Sequence, residues 1–110
     1  MPRHSRKRRH EEFTAILTME DEVRINFDKE GPKIVDFSVQ YLAKIREQWR
    51  PIVRFDTAHG RPHMDISHPD GTQETRDIHF YNYNVALTYA TKNIQERWEF
   101  YRERYEKELP

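Results

Sequence analysis

Cysteine is absent from the sequence, which excludes disulfide bonds, thiolate zinc sites and a cysteine nucleophile. Glycine occurs only three times and never in a group, so the clustered glycines of phosphate-binding and dinucleotide-binding loops are also missing. Any metal site would need histidine and carboxylate ligands, and we expect no cofactor. The lack of cysteine agrees with a reducing, cytoplasmic location.

Long apolar runs are missing as well. No stretch approaches the roughly 20 apolar residues that a membrane helix needs, and no apolar segment follows the basic N-terminus as in a signal peptide. We therefore expect a soluble, unexported protein with no membrane partner. Hydrophobic and charged residues each make up 35% of the 110 residues, which leaves room for one core only.

Acidic residues are absent from the first ten positions, although the formal charge of the chain is zero. We interpret residues 1–10 as a flexible basic arm and residues 11–110 as a single domain. The arm either contacts nucleic-acid phosphates or is simply a solvated tail. Its basic residues are Arg3, Arg6, Lys7, Arg8 and Arg9.

Apolar residues then alternate with mostly polar ones, which is typical of strands with one wet and one dry face. A hairpin is expected to turn at residues 20–22, and Gly31-Pro32 precedes the strongest strand. Pro51 indicates an edge or a strand start. A last, weaker strand is expected from about Gln73 to Phe80. The alternating apolar residues are Phe13, Ala15, Leu17 and Met19; Val23, Ile25 and Phe27; Val35, Phe37, Val39, Tyr41, Ala43 and Ile45; Val53 and Phe55; and Met64 and Ile66.

The apolar period changes to three or four near the C-terminus, which predicts one long amphipathic helix capped by Asn82 or Asn84. One such helix is a natural cover for the dry face of a sheet. We therefore predict an α+β fold: an antiparallel meander of five or six strands with a long C-terminal helix packed on one face. The helical apolar residues are Leu87, Ala90, Ile94, Trp98, Tyr101 and Tyr105.

Chemistry is expected between Arg54 and Gly71, because this segment holds three of the six histidines and two of the three glycines. If the strands on either side of the loop at residues 58–62 are paired, the burial of their apolar residues places the intervening polar ones on the opposite face. The candidate catalytic residues are Arg54, Asp56, His59, His63 and Asp65.

These residue types suit metal-independent cleavage of RNA. One imidazole, His63, would accept the 2′-hydroxyl proton, and another, His59, would protonate the leaving oxygen. Arg54 would stabilise the phosphorane-like transition state, while a carboxylate orients an imidazole. RNA is then the expected partner.

Three other interpretations stay open. The polar strand face is ordinary wet surface in the first of them. The second is a non-catalytic binding or assembly module that uses the sheet face, the sheet edge or the basic arm. The third is a small metalloprotein, with ligands among His59, His63, Asp65 and His68.

The block WRPIVRFDTAHGRPHMDISHPDG, from Trp49 to Gly71, resembles a family of small prokaryotic proteins of unknown function. Its pattern is W-x-P-[IV]-V-R-[FY]-D-T-A-H-G-x-x-H-x-D-x-x-x-P-D-G, and with the flanking residues the similarity covers nearly all of the chain after the arm.

A more distant resemblance is to the TumE type of toxin, a small ribonuclease paired with a helix-turn-helix antitoxin. It depends on a strand ending in R-[FY]-D-[NT]-A, a histidine-containing loop and strand, and a C-terminal helix. Arg54, Asp56 and His63 are the matching positions. This resemblance implies endoribonuclease activity and an antitoxin-like protein partner.

Overall fold

The computed structural model describes residues 7–110, which form one six-stranded sheet and one long helix. Each strand pairs antiparallel with the next strand in the sequence, so the predicted meander and α+β fold are confirmed. The elements are β1 (Arg8–Thr18), β2 (Asp21–Glu30), β3 (Lys33–Ile45), β4 (Gln48–Asp56), a short 3-10 turn (Ala58–Gly60), β5 (His63–Ser67), β6 (Gln73–Asp77) and α1 (Tyr83–Lys107).

Alternation along β3 decides which face of the sheet is dry. Five alternate side chains are buried, whereas Ser38 and Gln40 between them are only partly buried. α1 lies across β3 and β4 and buries Ala86, Ala90 and Ile94 in the same core. Because one helix is narrower than six strands, it covers the middle of one face only. The other face, here called the open face, is not covered by any element of residues 7–110. The buried β3 residues are Phe37, Val39, Tyr41, Ala43 and Ile45.

The first strand begins at Arg8, inside the segment that the sequence assigned to a flexible arm. Arg8 and His10 pair in register with Glu30 and Asp28 of β2. Main-chain pairing holds this end of the strand, which carries no apolar side chain and therefore shows no hydrophobic alternation in the sequence. The earlier part of the expected arm, residues 1–6, lies outside the described residues.

Two element boundaries also differ from the sequence-based expectation. The first hairpin turns at Met19 and Glu20, because Asp21 already belongs to β2. β6 stops at Asp77, before the expected end at Phe80.

Pro51 lies inside β4, where a missing N–H normally weakens a sheet. β4 pairs with β5 only from Val53 to Asp56, so residue 51 has a neighbouring strand on one side alone. The pairing with β3 also shifts register beside it. The proline thus occupies a local edge, as the sequence indicates.

The N-terminus of α1 is capped by Asn82, whose side-chain oxygen accepts a hydrogen bond from the Val85 N–H at 2.9 Å. Asn84, the other candidate cap, instead accepts from the Ile34 N–H and donates to the Pro32 carbonyl, each at 3.0 Å. Asn84 therefore ties the helix start to the β2–β3 connection. No helix within residues 7–110 combines the length and the apolarity needed to cross a membrane.

A buried polar cluster ties the C-terminal half of α1 to the sheet. Arg102 Nη1 lies 2.8 Å from the carboxylate of Asp21, which is 3% exposed. Thr18 and Tyr41 donate to the same carboxylate, each at 2.5 Å. Burial opposes ionisation of Asp21, but these three donors outweigh it and lower its pKa. Burial and the Asp21 contact raise the pKa of Tyr41.

His68 makes a second tie between the sheet and the helix end. Its two ring nitrogens lie 2.9 Å from the carboxylates of Glu74 in β6 and Glu108 after α1. The hydrogen bond with Glu108, followed by that with Glu74, raises the pKa of His68. The imidazole of His68 therefore connects the start of β6 to the C-terminal end of the helix.

Replacement of Arg102 by alanine leaves the Asp21 carboxylate buried without its cation. Breaking a buried ion pair in this way costs about 3–5 kcal/mol, and because Arg102 is 18% exposed we expect a loss nearer about 2–3 kcal/mol. Urea unfolding measures this difference. Lys92→Ala, which removes only an exposed pair with Glu96, is the control and should cost less than about 0.5 kcal/mol. Equal losses in the two variants would contradict the structural role of Arg102.

The raised pKa of His68 makes part of the stability depend on pH. The contribution is fully present below the ordinary histidine value of 6.5, provided that the glutamates stay ionised, and is lost as the pH rises through the raised pKa. The difference in thermal midpoint between the wild type and His68→Gln should therefore shrink as the pH rises from 6 to 9. A difference that grows over this range would show that His68 stabilises the fold in its neutral form.

Candidate functional site

The candidate site lies on the open face of β4 and β5. In the observed register Val53 is opposite Ile66, and both are buried towards the helix. Side chains alternate along each strand, so the next positions point to the other face. There Arg54 is opposite Asp65, and Asp56 is opposite His63. The pairing of the two strands expected from the sequence is present. We call Arg54, Asp56, His63 and Asp65 the His63 cluster.

His63 is the centre of this cluster. Its Nε2 atom lies 2.9 Å from Asp56 Oδ1 and 3.4 Å from Asp65 Oδ2. The Nδ1 atom lies 3.3 Å from the Arg61 carbonyl oxygen. His63 is 8% exposed, and the loop that precedes it supplies the Arg61 carbonyl. One imidazole is thus held between two carboxylates at one ring nitrogen and a carbonyl at the other.

Each carboxylate of the cluster is fixed by a further donor. Arg54 Nε lies 2.7 Å from Asp56 Oδ2, and the Ala58 N–H donates to Asp56 Oδ1 at 3.0 Å. The Thr75 hydroxyl donates to Asp65 Oδ1 at 2.7 Å. These contacts orient the carboxylates towards His63, so the cluster is preorganised by the main chain and by the neighbouring strand.

The hydrogen-bond inventory limits the state of the imidazole. Ionised carboxylate and carbonyl oxygens accept hydrogen bonds and do not donate them. His63 Nδ1 can donate to the Arg61 carbonyl, while Nε2 can donate to the carboxylates, accept a proton from a bound hydroxyl group, or bind a metal ion. The same geometry therefore serves proton transfer or metal binding.

His59 stands outside the contact network of the cluster. It lies in the 3-10 turn after β4 with a φ of 67°, is exposed, and makes no side-chain hydrogen bond within the described residues. The Tyr83 hydroxyl donates to the neighbouring Gly60 carbonyl at 2.8 Å and holds the loop against α1. The structure therefore joins four of the five predicted catalytic residues and leaves His59, the fifth, in the turn after β4.

The predicted set of metal ligands changes in three respects: His59 and His68 lie outside the cluster, and Asp56 joins it. His68 is engaged by Glu74 and Glu108 and does not join the cluster, which corrects its assignment as a ligand beside His63. The turn between β5 and β6 carries it towards the helix end instead. The donor atoms that do converge belong to Asp56, His63 and Asp65 and all lie within 4.8 Å of one another.

A second histidine on the open face was missed by sequence reasoning. His10 lies in β1. Its Nδ1 atom is 2.5 Å from Asp28 Oδ1, and its Nε2 atom is 2.9 Å from Glu12 Oε1. These hydrogen bonds raise the pKa of His10, while His10 and Arg8 lower the pKa of Asp28. Sequence reasoning missed His10 because residues 1–10 were assigned to the arm. The polar residues Glu12 and Thr14 occupy the next alternate positions of the same strand.

A shallow pocket of about 290 Å³ connects the two histidine regions. His10 and Asp28 line one side, and Arg54 and Asp56 line the other. Arg54 is thus shared between the pocket and the His63 cluster. A ligand bound in this pocket could therefore contact Arg54 from the solvent side.

The basic residues near the N-terminus differ in their surroundings. Arg8 pairs with Asp28 at 2.8 Å and Arg9 with Glu11 at 3.5 Å, so both are partly neutralised by the sheet. Lys7 is exposed just before β1. Arg3 and Arg6, also predicted to contact nucleic acid, lie outside the described residues.

Comparison with known protein families matches residues 6–110 to a family described as a domain of unknown function, DUF7718. Searches of curated proteins and of solved structures found no match. The family match spans the whole sheet, the His63 cluster and α1. On this basis the chain belongs to the DUF7718 family of unknown function.

Proposed function

We propose that the protein acts on RNA as a metal-independent endoribonuclease, with the His63 cluster as its site. The observation that carries the proposal is the contact of a guanidinium, an imidazole and two carboxylates on the open face, beside a pocket. The distant resemblance to TumE-type toxins supports the same activity and adds a helix-turn-helix antitoxin as the expected protein partner.

In the proposed reaction, His63 starts with Nε2 unprotonated, and this nitrogen removes the proton from the 2′-hydroxyl as the 2′-oxygen attacks phosphorus. The bond from phosphorus to the 5′-oxygen breaks, and a second acid gives that oxygen a proton. Arg54 is 48% exposed and lines the pocket, so it is placed to stabilise charge on the phosphorane. Asp56 and Asp65 orient His63 and stabilise its charged form.

The second acid is one of two other histidines. His59 is exposed on the loop that directly follows Asp56. His10 lines the pocket that Arg54 also lines, and Asp28 orients its ring. Comparing His59→Ala with His10→Ala distinguishes them, because loss of the acid slows cleavage while loss of the other imidazole does not.

Replacement of His63 by alanine should reduce cleavage of end-labelled RNA in chelator by at least about 100-fold, since general acid–base groups supply about 10²- to 10⁴-fold. His79→Ala is the matched control because His79 is exposed and lies after β6. Circular dichroism checks that both variants are folded. Full activity of folded His63→Ala would rule out the site, and binding of RNA without cleavage by the wild type would favour a binding module.

A second candidate function, binding of a divalent metal ion, is favoured by the separations around His63. Ligand atoms on one ion with bonds near 2.1 Å lie about 3.0 Å apart in octahedral geometry and about 3.4 Å apart in tetrahedral geometry. The distances from His63 Nε2 to Asp56 and Asp65 are 2.9 and 3.4 Å. The contact of Nδ1 with a backbone carbonyl is the usual support of a metal-bound histidine. Zn²⁺ and Mn²⁺ fit this donor set.

Isothermal titration of the chelator-treated protein with Zn²⁺ and Mn²⁺ tests this second candidate. If the site binds metal, one of the ions should bind in a 1:1 ratio and raise the thermal midpoint, and Asp65→Asn should weaken binding by at least about tenfold. Glu103→Gln removes an exposed carboxylate on α1 and is the control. Equal affinity of both variants, or no binding by the wild type, would exclude a metal at this cluster.

A further inference from the structure

A cleft on the helix side of the sheet contains three arginines that the proposed catalytic site does not use. It lies between α1 and the β5–β6 hairpin and has a volume of about 420 Å³. Arg76 comes from β6, and Arg97 and Arg104 come from α1. We call this region the arginine cleft. Met64 and Ile66 form part of its apolar wall.

The helix period explains how α1 contributes to the cleft. Residues 97, 101 and 104 are spaced four and three apart, so they share one face of the helix. The Arg97 guanidinium carbon lies 5.1 Å from the centre of the Phe100 ring, and that of Arg104 lies 5.5 Å from the centre of the Tyr101 ring. These cation–π contacts hold the two guanidinium groups beside aromatic surfaces, and no carboxylate of residues 7–110 forms an ion pair with them.

Charge balance distinguishes these arginines from several others in the sheet and helix. Arg54, Arg61 and Arg102 each have a carboxylate within 3.4 Å. For Arg76, Arg97 and Arg104 there is no ion pair with another group of residues 7–110. Like charges placed together without counter-charge repel one another, and a bound anion would relieve this repulsion. The cleft therefore has the electrostatics of an anion site.

Two exposed rings give the cleft a second property. Tyr89 is 44% exposed and Phe100 is 49% exposed, and both line the cleft. Asn93 is held by hydrogen bonds with Tyr101 and Tyr89, at 2.5 and 3.4 Å, so its amide is fixed in the wall. Exposed aromatic rings beside arginines are the combination by which proteins stack bases and contact phosphates of single strands.

We propose that the arginine cleft binds single-stranded nucleic acid, with phosphates on Arg76, Arg97 and Arg104 and a base on Tyr89 or Phe100. The inference rests on the proposed action on RNA and supplies its substrate-binding surface. The β5–β6 hairpin presents His63 and Asp65 on the open face and Met64 with Arg76 on the cleft face. A strand that bends around the exposed β6 edge reaches both faces.

Fluorescence anisotropy with a labelled oligouridine tests the cleft without cleavage, because it is done in the His63→Ala background and in chelator. Replacing Arg76, Arg97 and Arg104 together by glutamine should weaken binding by at least about tenfold. It should also lower the slope of log affinity against log salt by about 2, from about 0.7 for each lost phosphate contact. Phe100→Leu should weaken binding by about fivefold or more through lost stacking.

Arg24→Gln is the matched control, since this exposed arginine already pairs with Glu22 at 2.8 Å on the open face. Its affinity should equal that of the parent protein. The single variants Arg76→Gln and Arg97→Gln repeat the test if the triple variant unfolds, with a smaller expected loss for each.

Unchanged affinity and salt slope in the cleft variants would overturn the proposal. Competition by polyglutamate as effective as that by unlabelled oligouridine would also overturn it, in favour of an acidic peptide partner. The result is separable from catalysis: a wild type that binds through the cleft but never cleaves refutes only the ribonuclease. Cleavage that survives in the folded cleft variants at unchanged KM refutes only the cleft.

Discussion

One amphipathic helix lies across the middle of a six-stranded sheet, held there by the β3 and β4 core and by the contact of Arg102 with buried Asp21. A single helix covers only part of one face of the sheet. The surfaces that it leaves uncovered therefore contain the candidate functional residues. Within residues 7–110 no element packs on the open face, which agrees with its mostly polar side chains. On the helix side, the uncovered strip over β5 and β6 becomes a cleft bordered by α1.

The open face and the arginine cleft differ in how their charged side chains are paired. On the open face almost every charge has an opposite partner, and the carboxylates around His63 and His10 hold each ring in place. Such paired, oriented imidazoles suit proton transfer or metal binding but attract a polyanion poorly. In the arginine cleft, by contrast, cations of β6 and α1 lie together beside aromatic rings. The proposed function and the proposed nucleic-acid cleft together assign chemistry to one face and substrate binding to the other.

Much of the fold can be predicted from the sequence because its apolar residues follow two clear patterns. They alternate along the strands and recur every three or four residues along the helix. Alternation from Val35 to Ile45 and the spacing from Leu87 to Tyr105 correspond to β3 and α1, and the β4–β5 register follows once their apolar residues share a face. Other features depend on contacts between distant residues and leave no local signal. His10 lies in an apolar-poor strand end, and His68 reaches Glu108, forty residues away. The arginine cleft arises only when β6 and α1 meet, so its charges resemble an ordinary solvated helix face in the sequence.

The most direct test of the account is an amide NMR titration of the isotope-labelled protein with a 2′-O-methylated oligouridine, which lacks the nucleophilic hydroxyl and is not cleaved. The account predicts shift changes in two groups of residues, around Arg54 and His63 on the open face and around Arg76, Arg97 and Phe100 in the cleft. The amides near the Asp21 cluster should stay unchanged. Changes confined to other surfaces, or none at saturating oligonucleotide, would contradict the claim that these two faces act together on RNA.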